Sequence, residues 1–358
     1  MESTIEFHRT QPEVSLESHV RKRRIQLGVE VSSKYKIYLD LRFWILFRDV
    51  ELNRNTDKKL AHLLSKVELL VNNGVAICPI SESVFIELMK QNDPETRMAT
   101  ATLIDRLSLG VTLIAHPLRV NQELCNAIYT RAGAKNLIPL DALVWTKLTS
   151  IFGEMHPHET PFEPSEELVI QKGFYDHMWD ISLANVIDTI DFSNWHQPNW
   201  DETADRLNIG SAQHANEIKS YAHAYKIEFE GGLSLFKVEM SRLFKEVDEA
   251  GHKDFGENPQ CLSEKMRFTR FAKSVCTLHI SACCYAAVRR DQKRLLTGND
   301  LLDFHHAEAA VGYCNLFLTE KPLRTLLSQN HIGLASQFPC RVESSVAGAQ
   351  KLLDEIDG

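Results

Sequence analysis

Three acids in this chain, Asp40, Glu87 and Asp303, stand where carboxylates could work on a metal ion. Asp40 closes the apolar run within KYKIYLDLRFW (34–44), and open parallel sheets place their ligand sites at the carboxyl ends of strands. An aspartate there serves equally well as a helix cap or turn residue. A phosphoaspartate site of the DxD kind is disfavoured, because Asp40-Leu41-Arg42 lacks the second aspartate. Glu87 lies about two turns into the helix expected for SESVFIELMKQ (81–91), with Ser81 as its cap. Its neighbours Phe85, Ile86, Leu88 and Met89 are apolar, and a carboxylate buried among them needs a partner, a proton or a metal. The alternative is a salt-bridged glutamate on an amphipathic helix. Glu82, in the first turn, is explained by the helix dipole alone.

Asp303 reads as a first-turn residue of a helix over NDLLDFHHAEAAVGYC (299–314), with Asn299 or Asp300 as cap. The dipole gives such an acid a structural excuse of about 0.3–1 kcal/mol. His306, three residues on, shares its face, whereas the adjacent His305 points elsewhere, so at most one of the pair faces a common site. The set of acids carries more than its members. Three converging carboxylates repel and raise one another's pKa unless a cation offsets them. Oxygen-only ligands select hard ions, Mg²⁺ or Mn²⁺. Such an ion neutralises charge on a phosphodiester, lowers the pKa of a bound water and steadies the leaving oxygen, which is the chemistry of phosphodiester hydrolysis.

The elements that must position these groups are short apolar runs separated by helical segments. Strands are expected at 34–40, at VAICPI (75–80), where Pro79 ends the run, and at VTLIAH (111–116), stopped by Pro117. The pattern resumes with the strand NLFLT (315–319), the helix KPLRTLLSQ (321–329), a strand in FPCRVES (338–344) and a last helix at 346–356. Strands alternating with helices imply a parallel sheet covered on both faces. Between them, 120–294 reads as mainly helical, with LSLFKVEMSRLFKEVDEA (233–250) and 267–290 as examples and a polar, aromatic loop at 190–202. The expected organisation is a polar arm (1–33), a discontinuous α/β domain (34–119 and 295–358) and a helical insertion (120–294).

These motifs resemble those of the PIN-domain nucleases. The likeness lies in YLDLRFW around Asp40, in PISESVFIEL around Glu87, and above all in NDLLDFHHAEAAVGYCNLFLTEK (299–321). It covers 34–119 and 295–357 and none of the middle. The resemblance implies a parallel sheet of about five strands with helices on both sides. It also implies a Mg²⁺- or Mn²⁺-dependent ribonuclease of toxin, defence or processing type, with Asp40, Glu87 and Asp303 holding the metal. Thr319 would orient a ligand or the first acid, and Asn315 and Glu320 would be weaker metal contacts. Arg42, Lys321 and His306 are the expected substrate contacts. Asn315 departs from the family, which often has an aspartate there. A protein that keeps the fold as a binding scaffold and has lost cleavage is therefore the alternative.

The bulk numbers set bounds. At 358 residues the chain exceeds what one core usually serves, and 44% hydrophobic with 25% charged residues is ordinary for a globular protein. No run reaches the length of a signal peptide or membrane span, and the eight cysteines form no CxxC, so a cytoplasmic protein with reduced thiols is expected. The net charge of −8 argues against a generally basic coat, so a polyanionic substrate would have to be held by local patches. Two clusters qualify, Arg21-Lys22-Arg23-Arg24 and the set Arg289, Arg290, Lys293 and Arg294, although such runs are usually solvated faces. Trp179, Trp195 and Trp200 could stack on bases or belong to the core. The apolar face of 233–250, with Leu235, Phe236, Val238, Met240, Leu243, Phe244 and Val247, packs within its own domain or carries a homo-oligomer or regulatory partner.

Overall fold

The computed structural model describes residues 2–152, 157, 160–190, 198–250, 268–291 and 294–356. Trp195 and Lys293 lie outside the described residues. The chain is mixed α/β and divides into two compact units. The first comprises Met1–Ala115, Asp141–Trp195 and Leu353–Gly358, and the second His116–Leu140 and His196–Leu352.

In the first unit, β1 (Tyr35–Leu39) pairs in parallel with β2 (Ala76–Ile77), Tyr35 opposite Ala76 and Lys36 opposite Ile77. Four of the five β1 residues are buried, so the strand has no solvated face, as a sheet covered on both sides requires. Helix Leu41–Glu51 follows at once and turns Phe43, Trp44 and Phe47 fully inward. Each such aromatic contributes about 1.5–3 kcal/mol by burial. The third expected strand is β3 (Val111–Leu113), and its partner is antiparallel: β4 (Trp145–Lys147), with Leu113 opposite Trp145. A sequence of three residues carries no alternation to read, so β4 lies unannounced inside the stretch taken as helical. The described residues of this unit form one parallel pair, one antiparallel pair and a parallel bridge between Ile80 and Thr112.

The polar arm is folded. Its described residues form helices Glu2–Arg9 and Leu16–Ser32, the second capped by Ser15, whose hydroxyl accepts from the Ser18 N–H at 3.1 Å. Val20, Leu27 and Val31 are its buried apolar residues, a stripe too narrow to stand out from the charges around it. Lys172 is completely buried, and its ammonium donates to the carbonyls of Gln11 (2.9 Å) and Val14 (3.0 Å), fixing the link between the two helices. Gly28 marks a close approach: a Cβ there would overlap the backbone carbonyl of Ala142. Replacing a helical glycine by alanine normally gains about 1 kcal/mol, but displacing backbone costs about 1–3 kcal/mol. Gly28→Ala is therefore expected to lower stability, which a urea titration of both proteins would measure.

The second unit holds the parallel pair β5 (Leu316–Leu318) and β6 (Arg341–Glu343), with Leu316 opposite Arg341 and Leu318 opposite Glu343. Its helical part is organised by one core containing Val120, Leu124, Phe229, Met240, Leu243 and Val275. The segment 233–250 is not one helix. Helix Tyr221–Ser234 ends, and Lys237–Glu249 starts anew. Gly231-Gly232 lowers helix propensity at the break, and Leu235 and Val238 are left 80% and 79% exposed. Phe236, Met240, Leu243 and Val247 pack inward, so the apolar face serves mainly its own unit.

His279 is buried in this unit. Its Nε2 donates to Gln337 Oε1 at 2.8 Å, and its Nδ1 accepts from the Tyr225 hydroxyl at 2.6 Å. Burial lowers its pKa to about 4, against some help to the charged form from Gln337. The unfolded chain, with an imidazole pKa near 6.5, binds this proton first on acidification. The neutral ring's contribution is thus whole above about pH 6.5 and is lost as pH falls towards 4, by roughly 2–3 kcal/mol. Denaturant midpoints across that window should fall in wild type and fall less in His279→Gln.

Candidate functional site

The expected acids fall on both units. Asp40 is the residue immediately after β1, 5% exposed, and it caps helix Leu41–Glu51 by accepting from the Phe43 N–H through Oδ1 at 3.2 Å. Both readings of this position, strand-end acid and helix cap, are therefore physically present. Glu87 lies in helix Glu82–Met89 and is half-buried. Ser81 holds the cap position of that helix, but its hydroxyl bonds Tyr38 at 2.6 Å and makes no capping bond. Arg42 is exposed, one residue beyond the start of its helix.

In the second unit, Asp303 lies in helix Gly298–Tyr313. The cap is Thr297, in a capping box with Asp300: Asp300 N–H donates to the Thr297 hydroxyl at 3.2 Å, and Thr297 N–H returns a bond to Asp300 Oδ2 at 2.9 Å. This corrects the expected start of the helix. Asp303 falls in the second turn, beyond the reach of the dipole effect that would have excused it structurally. Its field reaches the buried Cys284 thiol, whose pKa is pushed up by burial and then by Cys283, Glu308 and Asp303. Thr319 follows β5 directly, has no exposed surface, and its hydroxyl has no hydrogen-bond partner among the described residues. Its N–H donates to the Glu343 carbonyl at 2.9 Å. Asn315 precedes β5, half-buried, and its carbonyl accepts from Arg341 N–H at 2.9 Å. Glu320 and Lys321 are exposed. His306 is fully buried, so this imidazole offers no surface to a substrate arriving from solvent.

Part of each basic cluster is engaged in structure, while Arg21, Lys22 and Arg290 are exposed. Arg23 lies over the Trp179 ring at 5.1 Å and 3.6 Å from Asp176 Oδ1, and Trp179 itself is buried. Arg289 pairs with Glu228, and Arg294 with Asp300 at 2.5 Å. A cavity of about 240 Å³ in the second unit is lined by Arg206, His214, Glu228, Arg289 and Arg294 among others. Its charges are of both signs. The seven described cysteines are free, six of them buried. Among the described residues, no helix is long and apolar enough to cross a membrane.

Among the described residues, two groups of side chains could hold a metal, and neither was singled out from the sequence. In the first unit, Asp176 accepts from His8 Nε2 at 2.9 Å and His19 Nε2 at 2.8 Å. Burial raises the Asp176 carboxyl, but the two imidazoles and Arg23 outweigh it and leave it below the usual range. In the second unit, Glu308 Oε2 lies 2.9 Å from His116 Nδ1 and 3.2 Å from His305 Nδ1. Burial pushes the Glu308 carboxyl up, and the charges and hydrogen bonds of His305 and His116 more than reverse it. The three-residue spacing of His305 and Glu308 was legible on a helix, whereas His116 is 192 residues from Glu308.

No protein-family model, no curated protein and no solved structure matches the chain.

Proposed function

We propose that this chain is a metal-dependent endonuclease that hydrolyses phosphodiester bonds, with RNA preferred to DNA and Mg²⁺ or Mn²⁺ as its ion. The observation that carries this reading is that Asp40 and Thr319 each immediately follow a parallel strand, β1 and β5. Both are buried polar groups at strand ends of the kind that hold ligands in α/β proteins. The preference for RNA follows only from the resemblance to PIN-domain nucleases.

The donors suit a hard ion. Asp40, Glu87 and Asp303 offer carboxylate oxygens, and the partnerless Thr319 hydroxyl offers another oxygen already withdrawn from water. By the resemblance to PIN-domain nucleases, Asp40, Glu87 and Asp303 are the acids that would hold the metal, with Asn315 and Glu320 as weaker contacts. When bound, the ion supplies a water of lowered pKa and charge neutralisation at phosphorus. The exposed Arg42 and Lys321 supply positive charge to phosphate oxygens, and Thr319 orients a ligand or the first acid through its hydroxyl.

Labelled single-stranded RNA and DNA, incubated with the protein in Mn²⁺, Mg²⁺ or EDTA, test the reading. Cleavage that needs the ion and is faster on RNA is expected. A folded protein that neither cuts nor takes up Mn²⁺ by calorimetry would sink the proposal. That result would favour the second reading, a scaffold without cleavage, for which Asn315 and the capping bond of Asp40 already speak.

A further inference from the structure

We propose that His116, His305 and Glu308 form a second metal site, for one borderline transition-metal ion of the Zn²⁺ class. It lies wholly within the second unit and does not depend on the nuclease reading. Each residue offers one ligand atom, and the three atoms lie within 4.8 Å of one another. A tetrahedral Zn²⁺ with ligands at 2.0–2.1 Å sets them about 3.4 Å apart. The observed 2.9 Å and 3.2 Å from the two Nδ1 atoms to Glu308 Oε2 need only a few tenths of an ångström of opening.

Two imidazoles and a carboxylate are the donor set of open zinc sites, in which three protein ligands leave a fourth position for water. Nitrogen donors disfavour Mg²⁺ and Ca²⁺. Access is one-sided, as such a site requires. Glu308 is 1% exposed, while the His116 and His305 side chains are 21% and 25% exposed. The Trp200 ring packs edge-on against His305 at 5.4 Å, and its indole N–H has no hydrogen-bond partner among the described residues. Both Nδ1 atoms face Glu308, and a neutral ring that coordinates through Nδ1 would carry its proton on Nε2, leaving the Nδ1 lone pair free for the ion.

The ion would join the start of helix His116–Arg131 to the middle of helix Gly298–Tyr313. The other histidine group does not make the same case. Arg23 stands 3.6 Å from the oxygen of Asp176 that His19 also uses, so a guanidinium already supplies the positive charge there.

Zn²⁺ titration of the full chain by calorimetry, with Co²⁺ as a spectroscopic substitute, tests the assignment. One Zn²⁺ per chain is expected, with tetrahedral Co²⁺ absorption and a raised thermal midpoint. His116→Ala and His305→Ala, at partly exposed positions, should each weaken binding by on the order of a hundredfold. His8→Ala, in the other histidine group, should leave it unchanged. Absence of stoichiometric binding to wild type would overturn the proposal and leave Glu308 as a buried acid held by two imidazoles. Undiminished binding in the His116→Ala/His305→Ala double variant, or binding lost in His8→Ala instead, would overturn it equally.

Discussion

Asp40→Asn and Asp303→Asn are each expected to reduce metal-dependent cleavage by about a hundred- to a thousandfold. A bound ion is worth several kcal/mol at the transition state, and each 1.36 kcal/mol is tenfold in rate. The asparagine variants matter because Asp40 has a second role. Its Oδ1 caps helix Leu41–Glu51 through Phe43 N–H, and an asparagine oxygen can accept that bond as well as aspartate. Asp40→Asn should therefore keep its stability within a few tenths of a kcal/mol, whereas Asp40→Ala loses about 1 kcal/mol. Activity lost in Asp40→Asn without loss of stability isolates the charge as the working part. Equal rates in Asp40→Asn and wild type would reduce Asp40 to a cap. Thr319→Val completes the comparison. The buried hydroxyl has no partner, so its removal should not destabilise the fold, and a fall in activity would then belong to the hydroxyl itself.

Glu123→Ala is expected to be the most damaging single change to the fold, costing about 3–5 kcal/mol in a denaturant titration of the full chain. Glu123 is completely buried on helix His116–Arg131. Helix Cys276–Arg290 has no side-chain cap of its own, since Val275 holds the cap position. Glu123 supplies the cap from outside: Thr277 N–H donates to both carboxylate oxygens at 3.1 Å, and the Thr277 hydroxyl donates at 2.6 Å. The Tyr313 hydroxyl and the Cys276 thiol also donate to it, and Arg119 reaches Thr277 Oγ1 at 2.9 Å. Burial pushes the Glu123 carboxyl up, against the bonds from Thr277, Tyr313 and Cys276 and the charge of Arg119. Alanine would strand all these donors in a dry interior. Glutamine keeps one acceptor oxygen and should cost clearly less. A loss below 1 kcal/mol in Glu123→Ala would mean that water or a neighbour replaces the carboxylate.

Much of the local structure was legible in the residues themselves. The apolar run before Asp40, the helix carrying Glu87, the helix–strand–helix order around Asp303 and Thr319, and the opposite facing of His305 and His306 all follow from periodicities set by bonds between near neighbours. So did the burial of Met240, Leu243 and Val247. Chain pairing was not legible. The antiparallel partner of Val111–Leu113, the Glu123 cap of a helix 154 residues away and the meeting of His116 with Glu308 depend on contacts between segments that carry no mark of each other. Thr297 took the cap of the Asp303 helix from Asn299 and Asp300 because its hydroxyl and the Asp300 carboxylate bond reciprocally, and both donors could not be satisfied from inside the helix. The sequence by itself determined which residues could be ligands and which segments could be strands or helices, because those are properties of side-chain chemistry and of the local backbone. Only the tertiary structure decided which ligands meet and which polar groups are buried, because desolvation and long-range hydrogen bonds exist only once distant segments have packed.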